Sequence, residues 1–240
     1  MTSTAAVIPA YNEEAHVGDV IDQVYDTGII DHVIVVDDCS TDETAARVEE
    51  TDALLLSNDR NRDYGGAIKR GYARAIELGV DMIFRLDADG QHDPAELPRF
   101  YRMLQHPDCQ YVMGNRFGDQ SVFESMPLDR AFGNRVVALA TSLRLGCWVG
   151  DPPCGYRAMD AQYLARTPYE KFSDDFRLGV EEVLAFDALD AGIEEITIPC
   201  IYADEESSLT YYDGFKFLYP VVLWWNLTKH RQARNTALLD

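Results

Sequence analysis

The stretch Asp81-Met82-Ile83-Phe84-Arg85-Leu86-Asp87-Ala88-Asp89-Gly90-Gln91-His92-Asp93-Pro94 decides how this chain is read. Its first residues, Asp81 to Phe84, form the short apolar run of a buried β-strand. Asp87 and Asp89 follow one residue apart, so in extended backbone both side chains project to one side. Gln91 and Asp93 continue that alternation, and Gly90 gives the backbone freedom to turn. A partly open group of hard oxygen ligands suits Mg²⁺ or Mn²⁺ bound together with substrate phosphates. A bare Asp-x-Asp reads equally well as an acidic loop capping the helix that opens near Pro94. The surrounding sequence has to separate the two.

Upstream, strand and helix patterns alternate. Ala5–Pro9 reads as a strand, about Glu13 to Tyr25 as a helix, and His32–Asp37 as a second strand. Ser40-Thr41-Asp42-Glu43 has the form of a capping box opening a helix to about Glu50. Ala53–Ser57 is a third strand, Gly66–Leu78 a helix closed by Gly79, and Asp81–Leu86 the fourth strand. Pro94–Gln105 and Tyr111–Met113 add a helix and a fifth strand. This alternation predicts a mostly parallel, doubly wound α/β sheet with ligands at the carboxyl ends of its strands. The second half is less regular: a helix over Leu128–Leu145, strands over Gly155–Met159 and Glu194–Ile201, and a helix over Glu181–Leu189. No repeat, low-complexity tract or linker divides the chain, so residues 1–240 are expected to form one domain.

The formal charge of −20 is spread along the 240 residues, with only Lys69, Lys171, Lys216 and Lys229 as lysines. Such a surface suits a salt-adapted protein of the kind a halophilic archaeon makes, where repulsion is screened within a few ångströms. It argues against nucleic acid as a partner, which calls for the opposite sign. Five scattered cysteines with no Cys-x-x-Cys pair point to free thiols in a reducing interior. The strand pattern Thr4–Pro9 stands where a signal peptide would, and none is expected. No apolar run reaches the ~20 residues of a membrane span; the nearest, Phe215–Leu227, carries Lys216, Pro220 and Asn226.

Two further strand ends carry chemistry-bearing residues: Pro9-Ala10-Tyr11-Asn12-Glu13-Glu14 and Val36-Asp37-Asp38-Cys39-Ser40-Thr41-Asp42. Neither Gly-x-Gly-x-x-Gly nor Gly-Lys-Ser/Thr occurs, so a dinucleotide enzyme or P-loop ATPase lacks its fingerprint. Together with Asp-Ala-Asp-Gly-Gln-His-Asp-Pro, these motifs resemble family 2 glycosyltransferases of the GT-A fold. The likeness is nearest to the dolichyl- and polyprenyl-phosphate mannose or glucose synthases. Gly114-Asn115-Arg116-Phe117, Arg130 with Gly133-Asn134-Arg135, and Asp151-Pro152-Pro153-Cys154-Gly155-Tyr156-Arg157 resemble later motifs of that branch.

The resemblance implies a nucleotide-sugar half over about residues 5–115 and an acceptor half over about 116–213. Pro9, Tyr11, Glu13, Asp38, Asp87, Ala88 and Asp89 would hold the nucleotide sugar, GDP-mannose or UDP-glucose. Asp87, Asp89 and Gln91 would hold Mg²⁺ or Mn²⁺. Arg116 and Arg130 would hold the phosphate of a dolichyl or other polyprenyl phosphate, and Glu182 (Glu181 as the second choice) would act as base or orient the acceptor. The catalytic set so implied is Asp89, Glu182, Arg116 and Arg130. Tyr202–Ser208 departs from the arginine-containing loop of the mannose synthases, which leaves the donor open. The aromatic segment at about 214–232, with Trp224 and Trp225 followed by Lys229, His230 and Arg231, suits a membrane interface; a core or dimer helix is the other reading. The expected place is the cytoplasmic membrane's inner face, held peripherally. Extension of a lipid-linked glycan and a catalytically silent nucleotide-binding subunit are the competing functions.

Overall fold

The computed structural model describes residues 2–118, 122, 126–201 and 221. At its centre lies β1 (Thr4–Ala10), buried along its whole length. A strand covered on both faces has no polar side, and Thr4-Ala5-Ala6-Val7-Ile8-Pro9-Ala10 accordingly shows no alternation. It pairs in parallel with β2 (His32–Asp37) on one side and β4 (Met82–Arg85) on the other. β3 (Leu54–Ser57) lies parallel outside β2. Beyond β4 comes β6 (Arg157–Asp160), antiparallel both to β4 and to β5 (Tyr111–Asn115). β7 (Ile193–Thr197) completes that edge, parallel to β5. The seven-stranded order is β3-β2-β1-β4-β6-β5-β7. The mostly parallel α/β sheet expected from the sequence is therefore present, with β6 reversed and strands of the second half built into it.

Helices cover both faces. α1 (Val17–Asp26), α2 (Thr44–Glu49) and α4 (Leu97–Leu104) pack Val20, Ile21, Val24, Val48 and Phe100 against Ala6, Ile8, Val33, Val35 and Phe84. On the opposite face α3 (Asp63–Glu77) sets Ala67, Ile68, Tyr72 and Ala75 against Ala5, Val7, Ile34 and Val36. Successive strand residues thus serve opposite faces, as the pleat requires. At Gly71 a Cβ would come within 2.3 Å of Val7 Cγ1, so only glycine lets α3 lie this close to β1. α5 (Leu128–Leu145) has the bounds expected and ends on Gly146 at φ +76°. α6 (Ala161–Arg166) and α7 (Leu178–Asp187) complete the second face.

Two local expectations need correction. The capping box at Ser40–Glu43 does not form: α2 starts at Thr44, whose N–H donates to Asp42 Oδ1 at 3.0 Å. The Ser40 hydroxyl instead accepts from the Asn12 N–H at 2.9 Å. α6 had no counterpart in the sequence reading, although Asp160 caps it from the Gln162 and Tyr163 N–H groups at 2.8 and 3.0 Å. All five cysteines are free thiols. Among the described residues no helix is long and apolar enough to cross a membrane.

Candidate active site

The chain turns from β1 toward β2 on one side and to β4 on the other, and open α/β sheets bind ligands at such a switch point. The loops after β1 and β2 are sewn together there. Asn12 adopts φ +58°, its Oδ1 accepts from the Thr41 N–H at 2.8 Å, and the Glu13 N–H donates to Thr44 Oγ1 at 2.7 Å. Glu14 accepts from the Glu43 N–H at 2.8 Å. Pro9 is buried at the base of this cleft and Tyr11 is half exposed at its lip, with Glu13 partly buried between. Asp38 is buried and accepts from Asn58 Nδ2 at 2.6 Å and from the Arg62 N–H at 2.9 Å. Asp38 therefore ties the ends of β2 and β3 to the start of α3, and keeps part of a carboxylate's four-site acceptor capacity.

The decisive stretch is shaped differently from its extended reading. β4 ends at Arg85, and Ala88 and Asp89 lie in a turn, so the extended alternation expected of Asp87 and Asp89 is replaced by a turn. Asp89 Oδ1 accepts from the Gln91 N–H at 2.9 Å across Gly90, whose φ of +73° only glycine adopts cheaply. Asp87 Oδ1 accepts from the Tyr64 hydroxyl at 2.7 Å. Capping of the following helical turn falls to Asp93, which accepts from the Ala95 N–H at 2.9 Å. Capping therefore does not fall to Asp87 or Asp89; Ala88 between them is buried and Gln91 partly buried. Among the described residues no three His, Cys, Asp or Glu side chains gather as a complete metal cage. Two carboxylates on one turn do fit Mg²⁺ or Mn²⁺, which keep waters and take one or two protein carboxylates plus substrate phosphates.

His92 stabilises this turn. It is buried against the Tyr156 ring at 5.1 Å, and its Nδ1 accepts the Asp87 N–H at 3.0 Å, which assigns the proton to Nε2. Burial is the largest cause that lowers its pKa to about 4, opposed by Asp87 and reinforced by Arg116 and Arg85. The unfolded chain takes up this proton near 6.5 and the folded chain only near 4. Stability is thus fully present above about pH 6.5, declines as pH falls to 4, and loses no more from this group below that. The loss amounts to about 3 kcal/mol across the interval. Urea unfolding of chelator-treated protein should show it, and His92→Asn should flatten the curve; an identical pH dependence in that variant would contradict the assignment.

The second half of the chain comes up against this turn at Gly155. A Cβ there would stand 2.7 Å from both Asp87 Oδ2 and the Tyr64 hydroxyl. The same loop begins at Asp151, which has no exposure and takes three bonds from Arg116: the backbone N–H to Oδ2 at 3.2 Å, Nε to Oδ2 at 2.7 Å and Nη2 to Oδ1 at 3.0 Å. Arg116 lies in the short helical turn after β5, with its Nε edge fixed as a fork. Arg130 stands in the first turn of α5, partly buried. Arg135, one turn on, lies over the Phe117 ring at 4.3 Å.

Residues 5–167, about two thirds of the chain, match the family model described as glycosyl transferase family 2. The chain belongs to that family. This glycosyltransferase is 27% identical over 236 residues to the UDP-N-acetylglucosamine–dolichyl-phosphate N-acetylglucosaminyltransferase of Methanococcus voltae, covering 90% of this chain and 94% of that one. It is 26% identical to the undecaprenyl-phosphate mannosyltransferase of Micrococcus luteus, covering 83% of each chain. Glucosyl-3-phosphoglycerate synthase from Mycobacterium tuberculosis, solved with UDP, superposes with a TM-score of 0.74 at 22% identity, over 93% of this chain and 80% of that one. Another crystal structure of that synthase contains Mn²⁺, UDP and phosphoglyceric acid. The GT-A fold implied by the motifs is the fold of this glycosyltransferase.

The choice of Glu182 as base needs correction. Its side chain has no exposure, and its oxygens accept from the Tyr72 hydroxyl (2.7 Å), Arg85 Nη1 (2.7 Å) and the Tyr111 hydroxyl (3.0 Å). A carboxylate enclosed between two guanidinium groups is poorly placed to take a proton from an acceptor. Glu181 is engaged with Ser173, accepting from its N–H at 2.6 Å and its hydroxyl at 2.9 Å. Sequence reasoning passed over Tyr64 and His92, which contact Asp87, and Arg85, which is buried against Glu182, as parts of the candidate site and its support. One signal was available: an arginine ending the apolar strand Met82-Ile83-Phe84 has to be paired when buried.

Proposed function

We propose that this glycosyltransferase moves a hexose from a nucleotide sugar, GDP-mannose or UDP-glucose, to dolichyl or another polyprenyl phosphate at the inner face of the cytoplasmic membrane. The observation that carries this reading is the outward side of α5. Leu128, Phe132, Val136, Leu139 and Leu143 are exposed, and at ~100° per residue they fall on one face of the helix. The opposite side of the helix buries Ala131, Val137, Ala138 and Thr141 in the protein. Trp148, exposed just beyond the helix, belongs to the residue type favoured at a membrane interface. Arg130 stands in the first turn of the same helix, partly buried and, by the same rotation, on the side turned toward the protein and not on the exposed apolar face. The dolichyl- and undecaprenyl-phosphate acceptors named for the two relatives support the same reading.

The aromatic segment at about 214–232 lies outside the described residues except for Val221, which is buried with Val137, Val180 and Leu184. In this reading α5 is the main membrane face.

The chemistry follows from the residues in place. Tyr11, Glu13 and Asp38 frame the base and ribose, with Pro9 and Ala88 shaping the cleft floor. Asp87, Asp89 and Gln91 would hold Mg²⁺ or Mn²⁺, which when bound neutralises the charge growing on the departing nucleoside diphosphate. A phosphomonoester has a second pKa of ~6, so the acceptor oxygen is already anionic at neutral pH. It attacks the anomeric carbon directly, forming the new carbon–oxygen bond as the bond to the diphosphate breaks, with inversion. Arg116 and Arg130 neutralise and orient the acceptor. Transfer to a sugar hydroxyl, as in glycan extension, requires a base, and the enclosed Glu182 and the Ser173-bound Glu181 weigh against it.

The test is transfer by purified protein at high salt with Mn²⁺ or Mg²⁺, labelled nucleotide sugars and dolichyl phosphate. Label extracted into organic solvent as an acid-labile glycolipid supports the proposal. Label only on lipid-linked oligosaccharide overturns it, and N-acetylglucosamine transferred in preference to mannose and glucose overturns the hexose assignment.

A further inference from the structure

Arg85 of β4 and Arg157 of β6 are cross-strand partners, and both are fully buried. Like charges opposed on neighbouring strands repel, and burial removes the water that would screen them. The Glu182 carboxylate offsets this from α7: its Oε1 takes Arg85 Nη1 at 2.7 Å and its Oε2 lies 3.6 Å from Arg157 Nη1. Tyr72 donates to Oε1 and Tyr111 to Oε2, so both carboxylate oxygens are filled. Arg85 Nη1 also donates to the Tyr72 hydroxyl and Arg157 Nη1 to the Tyr111 hydroxyl, and three further guanidinium N–H donors reach one loop. Arg85 Nε donates to Gly155 O at 2.9 Å, Arg157 Nε to Cys154 O at 2.9 Å, and Arg157 Nη2 to Pro152 O. Three backbone carbonyls of residues 152–155 are thus held from inside. A Cβ on Gly179 would stand 3.0 Å from Arg157 Nη2, so α7 closes directly onto the group.

That loop has Asp151, the partner of Arg116, at one end, and Gly155, packed on Asp87, at the other. We propose that Glu182 is a positioning residue: with Arg85 and Arg157 it holds the 151–156 loop so that Asp151 presents Arg116 at a fixed offset from Asp87. The group is a strut between the donor carboxylates and the acceptor cation, made of charges that touch neither substrate. The part that concerns catalysis rests on reading Arg116 as an acceptor-phosphate residue.

Glu182→Gln keeps the shape and removes the charge. Hydrogen–deuterium exchange should rise about tenfold in peptides spanning 150–157 and stay unchanged in those spanning 10–16. In the transfer assay the acceptor KM should rise about tenfold, with nucleotide binding within about twofold of the parent. The acid limb of the kcat–pH profile should be retained. Unchanged exchange at 150–157, or exchange raised uniformly through the sheet, overturns the strut. Loss of kcat together with the acid limb at unchanged acceptor KM makes Glu182 a base and also overturns it. Should Glu182→Gln not accumulate as folded protein, Tyr111→Phe removes one hydroxyl from Glu182 and Arg157 without changing charge. It should raise exchange at 150–157 about threefold, and no rise there overturns the proposal. If the parent protein transfers to no polyprenyl phosphate, the proposed function fails while the exchange measurement still decides the strut.

Discussion

Replacing Asp89 with alanine should lower sugar transfer by about a thousandfold and leave the folded protein intact. Asp89 stands on a turn at the rim of the sheet, partly exposed, and its bond to the Gln91 N–H joins neighbours in the same turn. A bond of that kind contributes about 1 kcal/mol, too little to unfold a domain with two extensive cores. The loss for chemistry is much larger, because departure of a nucleoside diphosphate concentrates negative charge where Asp89 would help hold a divalent cation. Three measurements separate the effects: initial transfer rates, thermal unfolding, and calorimetric nucleotide binding with and without Mn²⁺. The Mn²⁺-dependent part of nucleotide binding should disappear. Undiminished transfer would refute the assignment of Asp89, and a collapse of the melting transition would make its role structural.

Arg116→Met should act on both stability and transfer, and the two can be told apart. It leaves Asp151 fully buried without its guanidinium partner, an arrangement that costs about 3–5 kcal/mol. Transfer should fall about a hundredfold through poorer placement of the acceptor phosphate. Adding Asp151→Leu removes the stranded carboxylate, so the double variant should regain much of the lost stability. If Arg116 holds the acceptor phosphate, the double variant should regain none of the transfer, because that phosphate would still lack its cation. Urea midpoints and acceptor titrations on the two variants provide the check. If transfer returned along with stability, Arg116 would be a partner for Asp151 and nothing more.

The legible parts of this molecule were those governed by local pattern. The strands β1 to β5 showed as apolar runs, and α5 was bounded correctly because a glycine able to adopt positive φ follows its last apolar turn. The candidate donor-side residues could be placed at strand ends from sequence, because the apolar runs of β1, β2 and β4 directly precede them. What escaped depended on partners far away in sequence. Glu182 looked available because nothing near it reveals that Arg85 and Arg157 enclose it across the sheet. Ser40 looked like a helix cap because its true partner, Asn12, lies on another loop. Asp87 and Asp89 were expected to share a side through strand alternation, and a turn stands there instead, with Gly90 at positive φ.

The reversed strand β6 has a consequence for how the molecule assembles. It pairs Met82 with Asp160 and Arg85 with Arg157, joining segments far apart in the chain. Until it arrives, β4 and β5 have no strand between them and β4 presents an open hydrogen-bonding edge. Closing so long a loop is slow relative to forming the local βα units that precede it. During synthesis the Asp87–Asp89 turn is therefore made early but shaped late, when Gly155 and its neighbours reach it. A chain stopped short of β6 would carry the whole donor motif with an unpaired strand beside it, prone to pairing with another copy. Catalytic competence would then be the last property the folding chain acquires.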